Sequence, residues 1–208
     1  MKRILIASLV IILASSFSAG AYTEITTYQT THTVKNTVLH TDYDYSESDS
    51  YRGFLNFGYD WSGTKSYTNN FTIRTTHGYQ TSRNFFLGVG VGLDFPMGNV
   101  NHTPNLPVYG DLRLEANKKH LRLVPMVDLK VGYCFNHIFA EDTQSYEDML
   151  KGGLYVNPSV GFSYVINKYI GINLAVGYSF YKYKRDEPIG DLYYTNRQGV
   201  TLEVGFDF

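Results

Sequence analysis

Residues 85–96 read FFLGVGVGLDFP, and the two-residue period of this stretch decides the fold. Phe85, Leu87, Val89, Val91, Leu93 and Phe95 fall on one face, and Phe86, Gly88, Gly90, Gly92 and Asp94 on the other, because side chains alternate across an extended strand. A helical period of 3.6 would scatter both sets. One face therefore meets an apolar medium along its whole length, while the other carries glycine and a charge.

The same alternation recurs from Tyr51 to the end of the 208-residue chain. Eight runs show it, at 51–61, 68–79, 84–95, 106–116, 120–135, 152–166, 169–184 and 197–208, each bounded by turn or loop residues. In the last run Val200, Leu202, Val204, Phe206 and Phe208 stand opposite Thr201, Glu203, Gly205 and Asp207. The fourth sets Leu106, Val108, Leu112 and Leu114 against Tyr109, Asp111, Arg113 and Glu115. The fifth sets Leu121, Leu123, Val127, Leu129 and Val131 against Arg122, Asp128 and Lys130. In the first, Leu55 and Phe57 oppose Arg52 and Asp60, and the second adds Arg74 to the polar set. Several runs reach the ~9–11 residues that a tilted strand needs to cross hydrocarbon.

Connection lengths carry a separate signal. Tight links near 80–84, 117–119 and 167–168 alternate with longer loops at 62–67, 96–105, 136–151 and 185–196. That order suits an all-β, eight-stranded antiparallel up-and-down barrel over residues 51–208, with one end trimmed and the other elaborated. A hairpin from the Thr-rich residues before it would raise the count to ten.

Alternation alone also suits a water-soluble barrel with its apolar residues inside. Three features favour the inverted, transmembrane arrangement. The polar face is rich in Gly, Tyr, Arg and Asp and poor in Lys and Glu, which suits paired interior groups. It carries both signs, with Arg52, Arg74, Arg113, Arg122 and Lys130 against Asp60, Asp94, Asp111, Glu115, Asp128, Glu203 and Asp207. Aromatic residues at strand ends, among them Tyr51, Tyr59, Trp61, Phe85, Phe95, Tyr133 and Phe208, suit two interfacial girdles. The expectation is that the charged residues form a polar network inside the barrel. Leu55, Phe57, Leu87, Val89, Val91, Leu93, Val200, Leu202, Val204 and Phe206 are then expected to face lipid.

The beginning of the chain has a different character. Met1-Lys2-Arg3, an apolar run at 4–13 and Ala19-Gly20-Ala21 read as a signal peptide cleaved after Ala21. Its apolar core is shorter than the ~20 residues of a spanning helix, and no later stretch is long enough either, so any membrane crossing by the mature chain uses strands. Residues 22–50, dominated by Thr, Tyr, Ser and Asp, read as a flexible polar arm with enough β-propensity for an extra strand. Cleavage removes two of the 18 Lys and Arg and none of the 19 Asp and Glu, leaving a formal charge of about −3, which argues against nucleic acid as a partner. Cys134 is the one cysteine, so no intramolecular disulfide staples this exported chain.

The segments FFLGVGVGLDFP, LPVYGDLRLEA, VPMVDLKVGY, LYVNPSVGFSY, INLAVGYSF and VTLEVGFDF, in that order, resemble the small outer-membrane β-barrel proteins common in Bacteroidota. The resemblance covers roughly residues 51–208. It implies an eight-stranded barrel of OmpA/OmpX architecture in a Gram-negative outer membrane, with no established activity and no catalytic residues to carry over. The terminal Phe208, preceded by Phe206 and Val204, also resembles the C-terminal signal read by barrel-assembly machinery. The partners this implies are membrane lipid, lipopolysaccharide and that machinery, for a monomer whose surface ligand is open.

Candidate chemistry is sparse. No C-x-x-C, H-E-x-x-H, P-loop or EF-hand pattern is present, and no cofactor or metal is expected. A lumen enclosed by eight strands is wide enough only for its own side chains. With Tyr109, Met126, Tyr155, Tyr181 and Cys134 also inward by parity, a plugged core is expected in place of a conducting pore. A lipid-modifying or proteolytic enzyme needs a base near a nucleophile at the outer rim. His137, Glu141 and Asp142 just past the fifth run, with His102 in an earlier loop, are the rim candidates, while His77 and His120 fall near the short-turn end. No local pattern fixes their geometry, so the chain reads as non-enzymatic. Function is then expected in the longer loops, above all 136–151.

Overall fold

The structure is a computed structural model and describes residues 50–62, 69–97, 104–116, 122–136, 150–166, 170–186 and 192–208. The expected signal peptide at 1–21, and the polar arm up to residue 49, lie outside the described residues. Eight strands run in chain order: β1 (Ser50–Ser62), β2 (Asn69–Ser82), β3 (Phe85–Met97), β4 (Leu106–Glu115), β5 (Leu123–Phe135), β6 (Leu150–Val165), β7 (Gly171–Asp186) and β8 (Leu192–Asp207). Each pairs antiparallel with the next, and β8 returns to β1 from Phe54↔Asp207 to Ser62↔Gly199, closing the barrel. Two backbone bonds between Gly53 and Phe208 extend that seam to the last residue.

The pleat partitions the side chains with the polar set inside. On β3, Leu87 and Val89 are 52 % and 69 % exposed, whereas Phe86 and Asp94 are fully buried. The inward glycines have a packing reason. A Cβ at Gly90 would come within 2.5 Å of the Tyr109 ring on the neighbouring strand, so the bare backbone of β3 makes the room that Tyr109 fills. On the outer surface the ring of Phe208 occupies the place of a side chain at Gly53.

Proline shapes the wall because it has no N–H to give a ladder. The β6–β7 pairing skips Asn157 and Pro158 and resumes in the same register at Ser159↔Gly177. The β3–β4 ladder likewise stops at Val91↔Val108, one residue short of Pro107, and returns as the Asp94↔Asn105 bridge. A neighbouring strand still holds each proline, through Pro158↔Leu129 and Pro107↔Cys134.

The connections differ from the expected ones in an instructive way. Between β2 and β3 only Arg83 and Asn84 intervene. The loop expected at 185–196 shrinks to 187–191, because β7 and β8 stay paired up to Asp186↔Leu192. Strands seven and eight continue through Lys184-Arg185-Asp186 and Tyr193-Tyr194-Thr195 after their apolar alternation has ended. Ladder bonds need no apolar face once the strand has risen beyond the apolar band. Asymmetry between the two ends is therefore carried partly by taller strands, not by loops alone.

Gly90→Val is expected to cost about 1–3 kcal/mol by overpacking against Tyr109. The check is a lowered urea midpoint and weakened heat-modifiable migration on electrophoresis.

Candidate functional site

Among the described residues polar chemistry concentrates in the interior, where it is arranged in three layers. At the short-turn end Phe54 and Phe86 meet edge to face with centroids 4.9 Å apart, beside buried Val124, Met126 and Val165. The Arg113 guanidinium lies 3.8 Å from the Phe54 centroid. Arg52 grips Glu115 with two bonds of 2.8 and 3.1 Å and also reaches Gln80 at 2.5 Å. Asp207 lies 3.6 Å from Arg52 and accepts bonds of 2.5 Å from Ser163 and Asn173.

The middle layer is ionic. Lys130 Nζ sits 2.5 Å from Asp128 and 3.3 Å from Glu203, and Arg113 reaches Asp128 at 3.5 Å. Glu203 also binds Arg74, whose second terminal nitrogen is 3.1 Å from Asp94. Inward parity on β2, β3, β4, β5 and β8 converges these groups from around the wall. All of them are buried from bulk solvent, so each charge depends on its partners.

Toward the loop end the lumen becomes aromatic. Tyr109, Tyr155, Tyr181 and Tyr183 follow one another with ring centroids 5.9, 5.0 and 5.7 Å apart. The Tyr181 hydroxyl is 2.8 Å from Asp94 and 3.2 Å from Asp60, and Thr201 donates to Asp60 at 2.5 Å. Arg197 lies 5.2 Å above the Tyr181 ring, and Cys134 is fully buried in the same cluster.

Arg52, Asp60, Arg74, Asp94, Asp111, Arg113, Glu115, Asp128, Lys130, Glu203 and Asp207 all lie buried inside. Arg122 does not. It is exposed just before β5, where its carbonyl accepts the Val165 N–H. Parity assigns a face but not a depth, and at Arg122 the strand has already ended. Phe57, Leu87, Val89, Val200, Leu202, Val204 and Phe206 are exposed on the outer surface, with Leu55, Val91 and Leu93 half-buried beside their neighbours.

Sequence reasoning missed the apolar floor and Arg197. Phe54, Val124 and Val165 share the parity of charged residues, and that shared parity was the available signal. Of the rim and histidine candidates, His102, His120, His137, Glu141 and Asp142 lie outside the described residues. His77 projects outward and bonds the Tyr51 hydroxyl and, at 2.9 Å, Thr75 Oγ1, so neighbouring hydroxyls occupy both ring nitrogens. Among the described residues no group of three or more His, Cys, Asp or Glu is placed to hold a metal ion.

No protein-family model and no curated protein matches the sequence. Solved structures do match. The chain superposes on Neisserial surface protein A (NspA) with a TM-score of 0.58 and 11 % identity, over 77 % of this chain and 98 % of that one. It superposes on the outer membrane protein OprG from Pseudomonas aeruginosa with a TM-score of 0.52 and 13 % identity, over 78 % and 97 %. In fold, the chain is similar to small outer-membrane β-barrels. At these identities the likeness is one of architecture.

Glu203→Gln takes one of the charged partners from both Arg74 and Lys130, which keep Asp94 and Asp128, and is expected to cost about 1.5–3 kcal/mol in denaturant titrations. Arg122→Ala, on the exposed rim, is expected to cost about 0–1 kcal/mol in the same assay.

Proposed function

We propose that the chain is a non-enzymatic integral protein of a Gram-negative outer membrane, exported by a cleaved signal peptide and inserted as a monomeric barrel by barrel-assembly machinery. The observation that carries this reading is the inverted partition. Ion pairs are buried in the lumen while Leu, Val, Ile, Phe and Tyr are exposed on the outside of every strand whose outer face is apolar. A water-soluble barrel with that surface would expose a far larger contiguous apolar area than soluble monomers tolerate. Hydrocarbon is the medium that suits it, and the closed ladder suits hydrocarbon. Tyr51, Tyr79 and Phe208 near one end and Trp61, Phe71 and Met97 near the other fit the two interfaces.

The lumen is closed to solutes in this reading. Arg74, Asp94, Lys130, Tyr155, Tyr181 and Glu203 leave almost no accessible surface at mid-height. The wall then serves to strengthen the membrane, with lipopolysaccharide and lipid as its neighbours, and to present the loops to the exterior. The segment expected as the 136–151 loop is the proposed contact for a surface ligand. Residues 22–50 are proposed as a flexible arm on the periplasmic side, and the Bacteroidota-like segments suggest that lineage as the source.

The test is to purify the full barrel, reconstitute it in lipid bilayers, and record conductance beside protease digestion of intact cells. Silence in the bilayer with cleavage confined to the loops is the expected result. Steady channels would sink the closed-lumen reading, and a detergent-free monodisperse protein would sink the membrane reading. Within the bilayer, Val89→Arg is expected to cost about 2–4 kcal/mol and Tyr79→Arg, near the interface, about 0–1 kcal/mol, measured by reversible unfolding from liposomes.

A further inference from the structure

We propose that the outer face of β6 and β7 at the loop end binds the phosphate groups of lipopolysaccharide through Lys151, Lys182 and Lys184, resting on the reading that this end faces the exterior. On β7 the outward series runs Tyr178, Phe180, Lys182 and Lys184, so apolar residues give way to cations in one step. Lys182 is exposed. With a rise of ~3.3 Å per residue and a strand tilt of ~40°, Lys182 stands about 5 Å above Phe180 along the membrane normal and Lys184 about 10 Å above it. The headgroup layer is roughly 5–8 Å thick on each side of the hydrocarbon, which puts these cations at the depth of lipid phosphates.

The register decides which charges meet. Lys182 pairs with Leu154 on β6 and with Asn196 on β8, both exposed and uncharged. Lys184 pairs with Lys151, across the irregularity at Gly152, and with Tyr194. Like charges directly opposite each other weaken a ladder. A phosphate lying over the pair removes that penalty, because its oxygens accept hydrogens from both ammonium groups. Asp186, which pairs with Leu192, is the one acid that β6 and β7 carry beyond Phe180 among the described residues, and it lies farther from the bilayer than Lys184. The outer faces of β1 to β5 end on this side in Trp61, Asn69, Met97, Leu106 and Phe135, none of them charged. The basic face is thus confined to the strands whose ladder outlasts the apolar band. Its cations also stand at more than one height. A phospholipid offers one phosphate at one depth, whereas the saccharide head of lipopolysaccharide carries several.

The experiment titrates the full barrel, in neutral detergent, with purified lipopolysaccharide, with the same material after phosphatase treatment, and with phosphatidylglycerol. Lys182→Gln is expected to weaken binding of the phosphorylated form about fivefold, and Lys151→Gln, Lys182→Gln and Lys184→Gln together about a hundredfold. Phosphatase treatment is expected to cost the parent chain as much as the triple substitution does. Arg122→Gln, which removes an exposed cation at the opposite end, is expected to leave affinity unchanged. Heat-modifiable migration on electrophoresis reports folding in each case. Equal affinity of the parent and the triple variant, or an equal loss in Arg122→Gln, would overturn the proposal. So would phosphatidylglycerol binding as tightly as lipopolysaccharide, which would assign the face to anionic lipid in general. If the triple variant fails to fold, Lys182→Gln alone decides. A barrel that stays monodisperse without detergent defeats the membrane reading, whereas one that needs detergent but ignores phosphate defeats this inference alone.

Discussion

A wall whose outer face is apolar gives its backbone no partner except the next strand. Each unpaired N–H or C=O facing hydrocarbon costs several kcal/mol, so the ladder has to run all the way round. The pairing of β8 with β1 is therefore the condition on which the other strands depend. Closure in turn fixes the interior: eight strands enclose a space that side chains fill by themselves. Every inward position must be chosen for what stands across from it, as bare Gly90 is for the Tyr109 ring.

The interior and the seam act together. Three inward residues of β8 reach over it: Thr201 to Asp60, Glu203 to Arg74 and Asp207 to Arg52. Buried ion pairs are poor sources of stability when compared with apolar packing, because desolvation consumes most of the attraction. Their value here is in specifying alignment. A slip of one residue at the seam would turn these acids outward, taking Asp207 from Arg52 and Glu203 from Arg74 and Lys130, while Val204 and Phe206 turned inward. The penalty for a wrong register is thus much larger than the net gain from the right one. Apolar packing brackets the ionic layer, with Phe54 and Phe86 below it and the Tyr109, Tyr155, Tyr181 and Tyr183 rings with Cys134 toward the loop end.

The fold was legible because period-two alternation is a local property that each strand repeats independently. FFLGVGVGLDFP alone separates the outward Leu87 and Val89 from the inward Asp94, and VTLEVGFDF does the same at the far end of the chain. Depth was not legible. Arg122 has the parity of Asp128 and Lys130, yet it lies one residue outside β5 and meets solvent. Strand ends were misread where the apolar signal stopped before the ladder did, as at Tyr193-Tyr194-Thr195. Nor does parity say which residues meet across the lumen. The approach of Lys130 to Glu203, 73 positions apart, follows from strand order, tilt and closure together. Phe54 and Phe86 passed unnoticed as a floor because a large apolar residue on the polar face looks like a lapse in the pattern until the opposite wall is in view.

A filled lumen also constrains where a biological role can reside. Arg74 bridges Asp94 and Glu203 with Tyr155 stacked 5.5 Å from its guanidinium, and moving it would leave two buried carboxylates short of charge. A conducting path through that layer would have to break several such contacts together. His77, the one histidine among the described residues, faces outward with both nitrogens bonded to hydroxyls. What remains accessible is the loop end, where β6, β7 and β8 carry their ladder beyond the last β1–β8 rung at Ser62↔Gly199. Strands that continue after their apolar face has ended carry a paired, stiff ladder beyond the apolar band. A contact surface built there is free to vary in sequence, because the ion pairs that set the register lie below it and out of reach.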